Sequence, residues 1–306
     1  MHGWIILDKP LGLGSTQAVA AVKRNLREAG FGKVKVGHGG TLDPLATGVL
    51  PIAIGEATKL CGRMLDASKE YDFTIKFGEG TAGLDAEGEV VAMSVIRPTL
   101  EAIESVLSAF MGSIKQVPPA YSAIKIDGKR AYDLARSGEE VDMPSRTVTI
   151  YSLRVSASPR EQNDLTRRRG GAEEVTLSAH VSKGTYIRSL ARDIARALGT
   201  VGHVSMLRRT RAGPFGLDQA ISLDKLNEVA KGADPRDIIL PLEAGLDDIP
   251  ALTLTPEQAR AIREGRVLTG IASNDGQYWA RDAAMRPVAL VEQVDGSLRT
   301  VRGFNL

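Results

Sequence analysis

Cys61 is the only cysteine in 306 residues, so neither an intrachain disulfide nor a multi-cysteine metal site can be built. A reduced, cytoplasmic setting is the expectation. The four histidines, His2, His38, His180 and His203, are dispersed with no pair at metal-ligand spacing, and no metal is expected. No apolar run nears the roughly 18 residues that a bilayer crossing needs, so no membrane association is expected. The short run from Gly3 to Leu7 is cut by Asp8 and Lys9 with no basic segment before it, which argues against a signal peptide. Charge of one sign is also lacking. Thirty-nine Lys and Arg against 37 Asp and Glu leave +2, and that balance alone does not mark a nucleic-acid binder. What remains is an ordinary globular composition, 43% hydrophobic and 25% charged, in a chain long enough for one large domain and one small one.

Periodicity supplies a coarse map. Trp4 to Leu7 reads as a strand ended by Asp8-Lys9-Pro10-Leu11-Gly12. A helix should follow, with Ser15 as N-cap, Val19, Val22 and Leu26 inward, and Gly30 beyond its end. Val49 to Ile54 reads as a buried strand and Glu56 to Leu65 as a short helix. Tyr71, Phe73, Ile75 and Phe77 alternate with polar residues, the pattern of a half-buried strand, expected to pair with Glu89 to Val95 across a turn at Asp85 to Gly88. Thr99 caps a helix through Leu100, Ile103, Leu107 and Phe110 that Gly112 ends. Val148 to Val155 and Val175 to Val181 are further strands, joined by a charged, mobile connection from about Arg160 to Glu174. A helix with Ile187, Leu190, Ile194 and Leu198 inward stops at Gly199. Arg188, Arg192 and Arg196 recur every four residues on it, and with Lys183, Arg208, Arg209 and Arg211 they form the basic cluster that the net charge conceals. From Leu240 to Pro250 the composition reads as a linker. Beyond it, a helix capped by Thr255 and runs separated by Asn274-Asp275-Gly276 and Asp295-Gly296 suit a small β-rich unit.

The stretch from Val36 to Pro51 carries the strongest chemical signal. Its glycines sit at neither P-loop nor dinucleotide offsets. Gly37, Gly39, Gly40 and Gly48 permit sharp turns or close approach, and Pro44 restricts Asp43 to extended backbone. On spacing alone, Asp43-Pro44 is either a turn former or a carboxylate on a stiff mount.

This stretch closely resembles the signature loop of the TruB family of tRNA pseudouridine synthases. Ile6 to Pro10 is similar to that family's N-terminal motif, Lys69-Glu70-Tyr71 to its lysine-x-tyrosine strand, and Ser182 to Arg188 to its third catalytic motif. Pro118 to Lys125 and Leu207 to Arg209 also match in order, so the resemblance spans about residues 3 to 245. It implies an α+β fold: a mixed, largely antiparallel sheet flanked by helices. Residues 1–245 would form the catalytic domain, with an RNA-contacting hairpin and helix at 118–138, and residues 250–306 a β-rich, PUA-like RNA-binding domain.

The resemblance also implies the chemistry. Uridine 55 in the TΨC loop of tRNA would be flipped out, its N1–C1′ bond broken and the uracil rejoined through C5, with no redox change and no cofactor. Asp43 would be the nucleophile and Arg188 the guanidinium that keeps it ionised and oriented. Tyr71 would stack on the uracil and is a candidate for the later proton transfer at C5. Tyr186 and Leu207 would complete the uracil pocket, although core packing is an alternative for both. His38 is assigned to substrate binding rather than acid catalysis, Lys183 likewise. Lys9 is placed with them, although pairing with an acid or bracing the glycine-rich loop would suit it equally. Pro44 to Gly48 follows the stand-alone bacterial form, which implies a tRNA T-arm substrate, a monomer, and no guide RNA or protein partner. Gly14 stands where the family commonly has serine or threonine. Two rivals remain: a nucleoside or glycoside hydrolase using Asp85 or Glu87 as a second acid, and a non-catalytic RNA-binding or folding-assistance protein.

Overall fold

The computed structural model describes residues 1–122, 124–126, 128–137, 142–156, 171–271 and 273–306. They form two compact units, one of residues 1–65 and 211–306, the other of residues 66–210. The charged connection expected from about residue 160 lies outside the described residues as far as residue 170, as does Asp127 of the 118–138 hairpin.

In the first unit, the strand Gly3–Lys9 pairs antiparallel with Ala46–Ile54, from Gly3 opposite Ile54 to Lys9 opposite Gly48. The short strand Val36–His38 pairs with the same Ala46–Ile54 segment. Burial along both long strands is nearly continuous, because apolar side chains project from both faces. One hydrophobic cluster joins Trp4, Ile6 and Val49 to Leu60, Phe215, Leu246 and Phe304. The segment expected as a linker belongs to this core. Leu242, Leu246 and Ile249 are buried, Trp4 Nε1 donates to Leu242 O at 3.1 Å, and a side chain at Gly245 would come within 2.7 Å of the Trp4 ring. Its polar composition hid apolar residues spaced to face one large indole.

The helix Ser15–Leu26 buries Ala18, Val22 and Leu26 and leaves Lys23 and Arg24 in solvent. Its N-cap is Gly14, whose N–H donates to Gln17 Oε1 at 2.7 Å, and not Ser15 as expected. The Ser15 hydroxyl is committed elsewhere, as described below. At the chain's end, Thr255 and Gln258 make the reciprocal cap bonds of the helix Pro256–Arg263. A five-stranded sheet follows, in the order Ala251–Thr253, Gly276–Arg281, Pro287–Val294, Ser297–Gly303, Leu268–Thr269. Asp295 and Gly296, at φ 47° and 72°, form its tight hairpin.

The second unit is a sheet in the order Gly202–Ala212, Lys69–Phe77, Glu174–Val181, Arg146–Val155, Gly112–Gln116, with the first strand leaving the unit at residue 210. The alternation in Lys69–Phe77 divides its faces. Phe73, Ile75 and Phe77 pack with Ile103 and Leu107 of the helix Leu100–Leu107 and with Leu190 and Ile194 of the helix Ile187–Ala197. On the other face, Thr74 bonds Thr176 at 2.9 Å and Ser178 donates to Asp72 at 2.6 Å, both between directly opposed residues. The expected pairing with residues 89–95 does not form. Gly78, at φ 95°, turns the chain out of the strand, and Val90–Met93 pairs instead with the short Glu79–Thr81. Among the described residues no helix is long and apolar enough to cross a membrane.

Candidate active site

In the first unit, Asp43 is exposed, and both of its chain neighbours are pinned. The Ser15 hydroxyl accepts from Leu42 N at 2.8 Å and donates to Leu42 O at 3.0 Å. On the other side, Pro44 O accepts from Gly12 N at 2.9 Å and from Lys9 Nζ at 3.3 Å. Asp43 O accepts from Ala46 N at 3.0 Å, which closes a tight turn. The Asp43 carboxylate therefore leaves a backbone held before, at and after its own residue.

Of the readings open for Lys9, its surroundings favour bracing of the loop over phosphate contact. The residue is 0% exposed, and its ammonium also donates to Leu13 O at 2.6 Å and Pro10 O at 3.1 Å. A group so enclosed is no phosphate ligand, and it braces the loop. A buried ammonium is tolerated here because carbonyl oxygens replace its water. Gly39 is required by contact: a Cβ there would lie 2.6 Å from Met64 Cβ. His38, half-buried, accepts from Gly40 N at its Nδ1 at 3.4 Å.

In the second unit, Arg188 is 7% exposed and donates to Asp85 Oδ2 at 2.9 Å, Gly83 O at 2.8 Å and Tyr121 O at 3.1 Å. In the sequence, Asp85 reads only as a turn residue or a rival's second acid. It is a charged partner of Arg188, and its Oδ1 also accepts from Glu87 N at 3.3 Å. The arginines on this helix do not form an open phosphate-binding stripe. Arg192 is bonded to Asp193 and to Val117 O, and Arg196 alone of the three is exposed. The 117–121 segment lies against the helix and accepts from the first two, a placement that spacing on one helix cannot disclose.

Tyr71 and Leu207 are both half-buried and pack at the margin of this unit's core. Tyr186 stands at the N-cap of Ile187–Ala197, with the Arg146 guanidinium 4.8 Å from its ring centroid. Gln116, 1% exposed, donates to Tyr186 O and accepts from Tyr186 N, at 3.1 and 2.8 Å. Neither Gln116 nor Arg146 carries any motif, so sequence reasoning missed both. Lys183 is exposed and bonded to Asp66 at 2.9 Å, which holds that carboxyl below its ordinary range. Lys69 is held at about 8, first by burial and then by Arg209. Thus Asp43, His38 and Lys9 belong to the first unit, and Tyr71, Lys183, Tyr186, Arg188 and Leu207 to the second. Among the described residues no three His, Cys, Asp or Glu side chains cluster as a metal site would require.

Comparison with known proteins gives these residues a context. Residues 27–187 match the N-terminal domain of the TruB family pseudouridylate synthases, and residues 188–247 match the tRNA pseudouridylate synthase B C-terminal domain. The chain is 67% identical over its whole length to a tRNA pseudouridine synthase B of Novosphingobium aromaticivorans, covering 98% of that protein. It is 55% identical to one of Zymomonas mobilis, again over 100% of this chain and 96% of the relative. Among solved structures, a chain of an H/ACA RNP bound to a substrate RNA containing 2′-deoxyuridine superposes with a TM-score of 0.72 at 26% identity, covering 99% of this chain and 85% of that one. With both domain matches and full-length relatives in agreement, the chain belongs to the TruB family of pseudouridylate synthases.

Proposed function

We propose that this pseudouridine synthase isomerises uridine 55 in the TΨC loop of tRNA, acting alone and without a cofactor. The observation that carries the reading is the exposed Asp43 carboxylate on a loop pinned through Ser15, Gly12 and Lys9. A nucleophile fixed before substrate arrives loses little freedom on reaching the transition state. The reaction breaks the N1–C1′ bond and forms C5–C1′, and the proton displaced from C5 is balanced by one gained at N1. Asp43 attacks the sugar at C1′ or the base at C6, or assists elimination at the ribose, and each route returns the carboxylate unchanged. Arg188 serves as its cationic partner, and Tyr71 stacks on the flipped base and is the candidate for proton transfer at C5. Tyr186 and Leu207 complete the slot, while His38 and Lys183 contact RNA.

The exposed Lys125, Lys129 and Arg130, on the hairpin Lys125–Ile126 with Lys129–Arg130, support the 118–138 segment as an RNA contact. The catalytic domain is assigned to residues 1–245 and the PUA-like RNA-binding domain to 250–306, in a monomeric, cytoplasmic protein that needs no guide RNA. The two-carboxylate hydrolase is disfavoured because Asp85 is engaged by Arg188.

The test is to incubate the purified protein alone with unmodified tRNA and map pseudouridine. Modification at position 55 with no uracil released is expected. Asp43→Asn should bind tRNA and form no product. Wild-type turnover by that variant would remove Asp43 from the chemistry, and release of free uracil would favour a hydrolase.

A further inference from the structure

Tyr186 is held from two sides by residues that no motif announces. Gln116 and Arg146 are directly opposed on paired antiparallel strands, so their side chains leave the same face of the sheet side by side. The Gln116 amide takes both polar groups of the Tyr186 backbone. The Arg146 guanidinium lies over the ring, 4.8 Å from its centroid. Arg146 Nη2 is buried and has no hydrogen-bond partner among the described residues. A buried donor is rarely left without an acceptor, and the π-face of Tyr186 is the electron-rich surface beside it. Gly184 completes the arrangement. It lies at φ 77°, and a Cβ there would stand 3.3 Å from Arg146 Nη1, close enough that the guanidinium would have to shift by a few tenths of an ångström.

We infer that Gln116 and Arg146 form a two-sided clamp that fixes the backbone and ring of Tyr186 for the base, with Gly184 as the space that Arg146 requires. Both are positioning residues: they act through Tyr186. The inference rests on the reading of Tyr186 as a wall of the uracil slot. Gln116 sets where the ring begins and Arg146 sets its tilt, so the wall is in place before a base enters. Loss of Arg146 should therefore lower turnover far more than RNA affinity.

The experiment separates the clamp from the slot. The full-length protein is labelled with 3-fluorotyrosine, the Tyr186 resonance is assigned among the six tyrosines by Tyr186→Phe, and fluorine spectra are compared without RNA. In Arg146→Met the Tyr186 line should move by more than its own width, and in Arg146→Lys, which keeps a cation in the same strand, it should move less. With tRNA, Arg146→Met should lower kcat about tenfold and leave Kd within about twofold, as loss of a desolvated cation–π contact would. Adding Arg146→Met to Tyr186→Leu should cost nothing more. An unmoved Tyr186 line in Arg146→Met would overturn the clamp whatever the activity. A loss confined to RNA affinity, with a shallower salt dependence, would make Arg146 a phosphate ligand and equally overturn it. If the line moves as expected but Tyr186→Leu turns over at the wild-type rate, the slot reading fails while the clamp on Tyr186 stands.

Discussion

The Asp85–Arg188 pair allows a prediction worked from its geometry. Their side chains are 20% and 8% exposed, and Arg188 also donates to two backbone carbonyls that no side-chain substitution removes. Asp85→Asn is the informative change, because the amide oxygen can still accept from Glu87 N and preserve the local turn. What it removes is the negative charge. Breaking a fully buried pair costs about 3–5 kcal/mol. Two remaining carbonyl acceptors and the partial exposure of Asp85 reduce this to about 1.5–3 kcal/mol, the range of one hydrogen bond to a charged group. Arg188→Met should cost more, since it leaves two carbonyls and a carboxylate without their donor. In the Arg188→Met background, Asp85→Asn should be neutral or slightly stabilising, because no guanidinium remains to be compensated. Urea unfolding of the four proteins under one set of conditions closes the cycle. A coupling energy within about 0.5 kcal/mol of zero would refute the argument, because independent sites add to that tolerance.

Two further predictions concern lysines. Lys9→Met should lower kcat and leave tRNA affinity and its salt dependence unchanged, because the ammonium holds Pro44 and Leu13 rather than phosphate; a reduced salt slope in binding would restore the phosphate reading. For Lys69, the folded pKa of about 8 lies below the ordinary 10.5, so on raising pH the folded protein releases this proton first. The unfolded chain then binds more protons between those values, and this group's contribution to stability must rise with pH from about 8 towards 10.5. Urea midpoints of wild type and Lys69→Met, compared at several pH values across that window, should converge or cross in the direction of a relatively more stable wild type. A difference independent of pH would show that Lys69 does not titrate there.

The features legible in the sequence are those fixed within a few residues of chain. Thr99 and Gly112 bound their helical segment, Gly199 stops another, Thr255 caps a third, and Asp295-Gly296 turns a hairpin. Each is decided by local backbone geometry and needs no distant partner. The illegible features depend on residues far apart in the chain. Lys69–Phe77 pairs with a strand about a hundred residues later, the 240–250 segment is ordered by Trp4, and Arg188 meets Asp85 across 103 positions. Lys9 stayed open between phosphate contact, an acid partner and loop bracing for a related reason. A lysine beside proline and glycine reads as a surface cation until the carbonyls around it are placed.

Asp43 shows the same division within one residue. Turn former and catalyst were competing readings of Asp43-Pro44, yet they concern different atoms. The backbone carbonyl accepts from Ala46 N and makes the turn, while the carboxylate stands exposed beside it. The turn is itself part of what orients the carboxylate, and its rigidity comes from Ser15, Gly12 and Lys9, all more than 25 residues earlier. A substitution that loosens those anchors should thus act on turnover without touching substrate. For this loop, fold and proposed chemistry are one constraint: the bonds that stabilise the turn are the bonds that orient the carboxylate proposed as nucleophile.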